Sequence, residues 1–446
     1  MLSDVIVALA TPPGRSALAT IRVSGAAALA CVAEVLVSFK AEPPRQTRLT
    51  RAVHPKTREV LDEVLYVSYA APASFTGEDL VEISTHGGFL VPTGVVEALI
   101  AAGARQARPG EFTMRAVLHG KMDLLQAEAV GDLVDASAPA QRKMALHQLD
   151  RGLSTRLEKL RDGVLELEAL ISYDIDFPEE DSGPVDPEKV RALTDALHES
   201  LSGLLSTAEE GERVREGALA VIAGRPNVGK SSLFNALLGQ ERAIVTEIPG
   251  TTRDTIEGNV TCSGFPFRLA DTAGLRESDD RVETLGIEVS RKYIGSADVV
   301  ILCVEAGDEM TTEETDFLGS VSVPVLVART KSDMTDLRGD GVGVRVSAVT
   351  GEGIEELRTT LAEAAFRTLA LQADYEPVLT RARHRAAIGC ARDELESFAT
   401  ARSARIEAVV AATHLRAAVT ALENVIGVVT TEDVLERIFS KFCVGK

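Results

Sequence analysis

Residues 224–231 read Gly224-Arg225-Pro226-Asn227-Val228-Gly229-Lys230-Ser231, and this stretch decides the fold. Its pattern is G-x-x-x-x-G-K-S, preceded by the apolar run Ala218–Ala223 and followed by the helix-forming segment Ser232–Leu238. Strand, glycine-rich turn and helix in this order aim the backbone amides of the turn and helix start at one point, where a phosphate fits. Lys230 adds a point charge there, and the Ser231 hydroxyl is a Mg²⁺ ligand by type.

Working outward, the apolar-rich Phe267–Ala270 delivers Asp271-Thr272-Ala273-Gly274. An aspartate at a strand end reaches Mg²⁺ through water, and a glycine lets the backbone approach a γ-phosphate. Between the two lies Gly250-Thr251-Thr252-Arg253-Asp254, whose hydroxyls suit a metal-sensing switch loop. Val323–Ala328 runs to Thr330-Lys331-Ser332-Asp333, and Val344–Val346 to Ser347-Ala348-Val349. A carboxylate at Asp333 accepts two hydrogen bonds from guanine N1 and N2, a donor pair that adenine lacks. Five elements in this order resemble the guanine-nucleotide motifs of P-loop GTPases. GTP is therefore the expected ligand; an ATPase is the competing reading, and equal competition by ATP and GTP would favour it. The pattern departs at Thr330, where the resemblance calls for asparagine, and a weaker nucleotide affinity is expected from the change.

Leu275 follows the Asp271 motif where Ras-like enzymes carry a water-orienting glutamine. Leucine cannot position a nucleophile, so another group must help. Asn227, with Thr246 and Ile248, offers oxygen ligands for a monovalent cation, whose charge near the β- and γ-phosphates could replace an arginine finger.

The chain has 446 residues, with 45% hydrophobic and 26% charged residues, a composition for about three globular domains. Its formal charge is −20, and the acidic excess lies within residues 121–370; residues 1–120 and 371–446 are balanced. With a pI near 4.9, the chain is not by itself an obvious partner for nucleic acid. Its five cysteines are scattered without zinc-type spacing, so neither a disulfide framework nor a structural zinc is expected. The N-terminus has no signal-peptide pattern and no stretch approaches ~18 uninterrupted apolar residues, so a cytoplasmic protein without a membrane span is expected.

Residues 1–120 read as an α+β unit, with strands at Asp4–Leu9, Ala17–Val23, Val64–Tyr69 and Leu80–Ser84 and a helix at Gly94–Ala102. From Asp123 the apolar period becomes helical, as in Leu153, Leu157, Leu160, Val164 and Leu167. The polar stretch Asp174–Pro187 interrupts this pattern, helix resumes to about Val214, and a similar pattern returns after Tyr375 and runs to Phe442. The expected order is an α+β domain at 1–120, a helical segment at 121–216, an inserted α/β domain at 217–370, and a further helical segment at 371–446.

Other segments extend the resemblance along the whole chain: Ala10-Thr11-Pro12-Pro13-Gly14-Arg15, Ser74-Phe75-Thr76-Gly77-Glu78-Asp79, His86-Gly87-Gly88, Arg108-Pro109-Gly110-Glu111-Phe112, Ile175-Asp176-Phe177-Pro178 and Phe442-Cys443-Val444-Gly445-Lys446. Together with the nucleotide motifs they resemble the MnmE (TrmE) family of tRNA-modification GTPases. The resemblance implies a folate-binding, dimerising N-terminal domain, a discontinuous helical domain and an inserted P-loop GTPase domain. It implies a FAD-binding partner of the MnmG type, with which an aminomethyl or carboxymethylaminomethyl group is added to C5 of the wobble uridine of certain tRNAs. A tetrahydrofolate derivative, 5-formyl or 5,10-methylene, is the implied one-carbon donor.

Position by position, the resemblance places folate contacts at Arg22, Glu82, Lys121 and Lys446. It places K⁺ ligands at Asn227, Thr246, Ile248 and Thr251, Mg²⁺ ligands at Ser231 and Thr252, and a water-orienting glutamate at Glu283 beside catalytic Lys230. The implied nucleotide contacts are Asn227, Val228, Gly229, Lys230, Ser231, Ser232, Thr246, Glu247, Ile248, Pro249, Gly250, Thr251 and Thr252. They continue through Asp271, Thr272, Ala273, Gly274, Thr330, Lys331, Ser332, Asp333, Ser347, Ala348 and Val349. Homodimerisation through the N-terminal domain and transient pairing of GTPase domains are also implied.

Two other readings remain: a ribosome-assembly or RNA-chaperone GTPase, and a folate-dependent transferase acting on a small molecule or protein. The neutral terminal segments offer no basic RNA-binding appendage for the former. With the acidic excess in mid-chain, tRNA contact is expected mainly through the partner. Cys443 is read as a packing residue rather than a nucleophile, since no base lies near it in sequence, and His86 as a turn residue.

Overall fold

The computed structural model describes residues 4–176, 186–239, 257–271, 293–335, 342–367, 378–404, 406–427 and 442–445, with residues 369, 435 and 438–440. Contacts divide the chain into two units, residues 1–131 with 426–446, and residues 132–425.

The first unit is built on a six-stranded sheet of order β3-β4-β5-β2-β1-β6. Its strands are β1 (Ile6–Leu9), β2 (Gly14–Ser24), β3 (Arg48–Val53), β4 (Val60–Tyr69), β5 (Leu80–Gly88) and β6 (Arg105–Gln106). Only the β1–β6 pair is parallel. Helices α1 (Ala28–Val35) and α2 (Leu90–Ala101) cover one face, closing Val32, Val35, Val95 and Leu99 over Ile21, Val23, Val64, Val81 and Ile83. Residues of a strand alternate between faces, so Arg22 and Glu82, paired directly across β2 and β5, stand on the opposite face. Helix α2 begins four residues before the expected Gly94, because Pro92 falls in its first turn, where no amide donor is needed.

Helices α3 (Glu111–Leu118) and α4 (Leu124–Asp135) follow. Leu124 and Ala127 bury against Leu435 and Phe439, and Val444 bridges Pro109. The sequence pattern carries the later helical segment to residue 446; by contacts, residues 426–446 group with the N-terminal unit, where Leu435, Ile438, Phe439 and Phe442 pack with Met114, Val117, Leu124 and Ala127.

The second unit carries helices α5 (Pro139–Leu149), α6 (Gly152–Asp176), α7 (Pro187–Ser206) and α8 (Ala208–Glu216) before its sheet. Helix α7 starts where its pattern demands: Asp186 accepts the Glu188 amide at 2.9 Å, and Pro187 occupies the first turn. The sheet has the order β12-β11-β10-β7-β9-β8 and is parallel except for the β8–β9 pair. Its strands are β7 (Ala218–Ala223), β8 (Glu257–Cys262), β9 (Phe265–Asp271), β10 (Val299–Glu305), β11 (Val325–Thr330) and β12 (Val344–Arg345). Central β7 is buried at every residue, as an unbroken apolar run requires in a sheet covered on both faces.

Helices α9 (Lys230–Gly239), α10 (Thr312–Ser320) and α11 (Ile354–Ala365) flank this sheet; α12 (Ala382–Ser403) and α13 (Ala408–Ile426) close the unit. Ala140 and Met144 of α5 and Val214 of α8 join the same core as Phe265, Phe267 and Phe366. Among the described residues, α13 alone is long and apolar enough to cross a membrane. It also carries Arg416 and Glu423, and it buries Ala411, Leu415, Ala418 and Leu422 within the protein.

Candidate nucleotide-binding site

Strand β7 ends at Ala223, and the chain turns through residues 224–229 before α9 begins at Lys230. Gly224 has φ +139°, and a Cβ there would lie 2.5 Å from the Cys303 carbonyl oxygen, so only glycine lets the loop leave this close to β10. Asn227 is left-handed at φ 64° and Gly229 lies at φ 97°, which folds the loop amides inward. Lys230 is buried, its ammonium donating to the carbonyls of Gly224 at 3.0 Å and Arg225 at 2.6 Å. The side chain thus spans the concave face of the loop.

Of the expected Mg²⁺ ligands, Ser231 is described, and it lies beside Asp271. The Ser231 hydroxyl donates to Asp271 Oδ2 at 2.8 Å, and Asp271 is buried at the end of β9, paired with Ile222 of β7. Two hard oxygen groups at the edge of the phosphate loop are the donor type that Mg²⁺ takes.

The residues expected at the base meet at the ends of β11 and β12. Ser347 donates to Asp333 Oδ1 at 2.6 Å, while its own oxygen accepts the amides of Val349 and Thr350 at 3.2 and 3.1 Å. The Asp333 carboxylate is thereby oriented as an acceptor for a guanine edge. Lys331 is left-handed and pairs with Glu305 at 2.8 Å; Ser332 bonds Glu352 at 3.1 Å, and Ala348 and Val349 continue the turn. Thr330 is 3% exposed, and its hydroxyl donates to the Val228 carbonyl at 2.5 Å. The position that departs from the asparagine pattern therefore still ties the base-binding strand to the phosphate loop.

Thr246, Glu247, Ile248, Pro249, Gly250, Thr251, Thr252, Thr272, Ala273, Gly274, Glu283 and Lys446 lie outside the described residues.

In the first unit, Arg22 Nε donates to Glu82 Oε1 at 2.9 Å, and its terminal nitrogen reaches the Gly445 carbonyl, next to Lys446, at 3.4 Å. Lys121 donates to the Pro72 carbonyl at 3.0 Å. The structure adds two aromatics to these candidates: the Tyr69 phenol donates to Glu82 Oε2 at 3.4 Å, and the Phe75 ring lies 5.7 Å from the Arg22 guanidinium. Burial and the Glu82 carboxylate push the Tyr69 phenol above its ordinary range. Phe75 sits within a quoted segment and Tyr69 ends a predicted strand, but their proximity to Glu82 and Arg22 emerges only once β4 pairs with β5. A carboxylate held at both oxygens beside a guanidinium and an aromatic ring suits a pterin's hydrogen-bonding edge and flat face.

His86 lies within β5 rather than in a turn, its Nδ1 donating to Asp62 at 2.8 Å. Cys443 is exposed, and its carbonyl accepts the Gly110 amide at 3.3 Å. No cluster of three metal-ligating side chains occurs among the described residues.

A parallel sheet that brings a phosphate loop and a buried aspartate to one edge, with an acid-bearing base pocket on the next strands, is the build of a P-loop GTPase. Comparison with known proteins narrows the class. Residues 5–121 match the family description "GTP-binding protein TrmE N-terminus", and residues 124–443 match "MnmE helical domain". The tRNA modification GTPase MnmE of Moorella thermoacetica is 42% identical over 464 residues, and that of Aquifex aeolicus 40% identical over 453, each match covering 100% of both chains. Among solved structures, the G domain of the T. maritima FeoB iron transporter is 33% identical, covering 33% of this chain and 98% of its own at a TM-score of 0.26. The chain belongs to the tRNA modification GTPase MnmE family.

Proposed function

We propose that this chain, a GTP hydrolase of tRNA modification by family, works as a Mg²⁺-dependent, K⁺-activated switch. With a FAD-binding partner of the MnmG type, it directs addition of an aminomethyl or carboxymethylaminomethyl group to C5 of the wobble uridine, position 34, of certain tRNAs. The observation that carries the reading is the convergence of Arg22, Glu82 and Gly445, residues 22 and 445 being 423 positions apart in sequence, at one polar and aromatic site. A nucleotide switch alone needs no such site. A bound tetrahydrofolate derivative would supply the one-carbon unit; Glu82 would accept from the pterin edge, with Arg22, Lys121 and Lys446 facing its carbonyl and carboxylate groups.

At the nucleotide, Ser231 and Thr252 hold Mg²⁺ on this reading, and Asn227, Thr246, Ile248 and Thr251 hold K⁺. Lys230 neutralises developing phosphate charge, and Glu283 orients the attacking water. The Ser231–Asp271 bond supports the Mg²⁺ assignment. The 1–120, 121–216, 217–370 and 371–446 division, N-terminal homodimerisation, transient GTPase-domain pairing and a cytoplasmic location belong to the same proposal. So does delivery of tRNA mainly by the partner, which the acidic charge favours.

The test is mass analysis of tRNA nucleosides from a strain lacking the chain. Wobble uridines without the C5 group, restored by the wild-type chain but not by Glu82→Gln, are expected. Unchanged nucleosides would overturn the reading in favour of an assembly or chaperone GTPase.

A further inference from the structure

Glu314, on α10, is buried with 5% of its surface exposed, and no step of nucleotide hydrolysis assigned above uses it. One of its oxygens accepts the Thr311 amide at 2.9 Å, closing the capping box that starts the helix. The other accepts Arg225 Nε at 2.8 Å. Arg225 is the second residue of the phosphate loop, and its guanidinium also reaches Asp308 at 3.3 Å. Its backbone carbonyl accepts the Lys230 ammonium at 2.6 Å. Side chain and main chain of one residue therefore face two ways, toward a buried carboxylate and toward the phosphate-binding lysine.

The pair is lopsided: the Glu314 side chain is 6% exposed and the Arg225 side chain 39%, so the buried carboxylate is the fixed end. Burial pushes the Glu314 carboxyl up, but the Thr311 amide and Arg225 together outweigh it and hold the group below its ordinary range. A buried, charged carboxylate needs its cation, so removal of Arg225 leaves Glu314 uncompensated, while removal of Glu314 frees Arg225 to pair with Asp308 alone. The next residues are stiff: Pro226 has a restricted φ, and Asn227 is held left-handed. Displacing Arg225 would be transmitted to Asn227 instead of being absorbed. At the far side, the Thr330 bond to Val228 holds the second half of the loop. The first half has Arg225 and Glu314.

We infer that Arg225 and Glu314 form a positioning pair that sets the first half of the phosphate loop against α10, so that its amides and Lys230 meet a β-phosphate. Glu314 acts through Arg225 and touches no ligand. Binding of nucleoside di- and triphosphates depends on the pair; binding of a monophosphate, which presents no β-phosphate, does not.

The experiment is equilibrium titration of the full chain in Mg²⁺ buffer with GTPγS, GDP and GMP, for wild type, Arg225→Gln, Glu314→Gln and the double variant. Each single variant is expected to weaken GDP and GTPγS about tenfold and leave GMP unchanged. The double variant should be no weaker than either single one, the signature of one coupled unit. A thermal melt on each variant separates positioning from a folding defect. GMP weakened in step with GDP would assign a structural role and overturn the proposal. Tighter GDP binding by Glu314→Gln, with loss in Arg225→Gln, would mean that Arg225 grips phosphate directly and would overturn it as well. Wild-type affinities in both single variants would do the same.

Discussion

The hydroxyl of Thr330 donates to the backbone carbonyl of Val228, 102 residues earlier in the chain, and so links the base-binding strand to the phosphate loop. Thr330→Val keeps the shape of the side chain and leaves that buried carbonyl without its donor, a cost of about 1–3 kcal/mol. GDP affinity, read by calorimetric titration, should fall roughly tenfold or more. Thr330→Ser should restore it, since serine keeps the hydroxyl. Equal affinities in the valine variant and the wild type would show that the brace plays no role in binding.

Ser231 and Asp271 meet at 2.8 Å where the phosphate loop and β9 converge. Asp271→Asn removes the charge while keeping the volume, and GTP turnover is expected to drop about a hundredfold. A Mg²⁺ titration of turnover should show the midpoint moved to higher concentration. An unchanged midpoint would place the metal elsewhere.

Gly224→Ala forces a methyl against the Cys303 carbonyl, at a backbone angle that side chains rarely adopt. The melting temperature should fall by an amount equivalent to about 2–4 kcal/mol. Gly239→Ala, at the last turn of α9 where a Cβ meets nothing within 4 Å, is the control and should be neutral or slightly stabilising.

Arg115 is fully buried and donates to Glu78, Glu111 and Asp4. Arg115→Met should destabilise the N-terminal unit by about 3–5 kcal/mol, because the buried Glu78 loses the cation it bonds and Glu111 is left with Arg105 alone. The pH dependence has a definite sign. Burial pushes Glu111 up, but Arg105, the Arg108 amide and Arg115 outweigh it and hold the group below its ordinary 4.5; burial likewise raises Asp4, and Arg105 and Arg115 outweigh it to hold that group below 3.8. A depressed carboxyl contributes stability above its ordinary value and loses it as the pH falls through the lowered one. Circular dichroism should therefore show acid unfolding that sets in below about pH 4.5, with a shallower dependence in Arg115→Met.

Features carried by neighbouring residues were legible in the sequence. The apolar run 218–223, the glycine-lysine-serine turn and the start of α9 need only local chemistry, and the structure reproduces all three. Strands β4 and β5 were marked by their β-branched residues, and β1 and β2 by the Pro-Gly turn that they flank. Strand β3 and helix α1 were not: Arg48–Val53 carries two arginines, and Ala28–Val35 mixes alanine with β-branched residues, so neither has a clear period. Their structure comes from pairing with β4 and from packing against α2.

The sequence by itself determined the chemistry available to this protein: the glycine-rich loop's amides, the Lys230 ammonium, the Ser231 and Asp271 oxygens, and the Asp333 carboxylate. It did so because the side-chain types and their local spacing already specify what each group can bind. Only the tertiary structure decided which distant groups hold those in place. Thr330 on Val228, Glu314 on Arg225 and Gly445 on Arg22 are hydrogen bonds between segments 102, 89 and 423 residues apart. Such partners are set by strand order and by the burial of whole faces, and no local pattern in the chain encodes either.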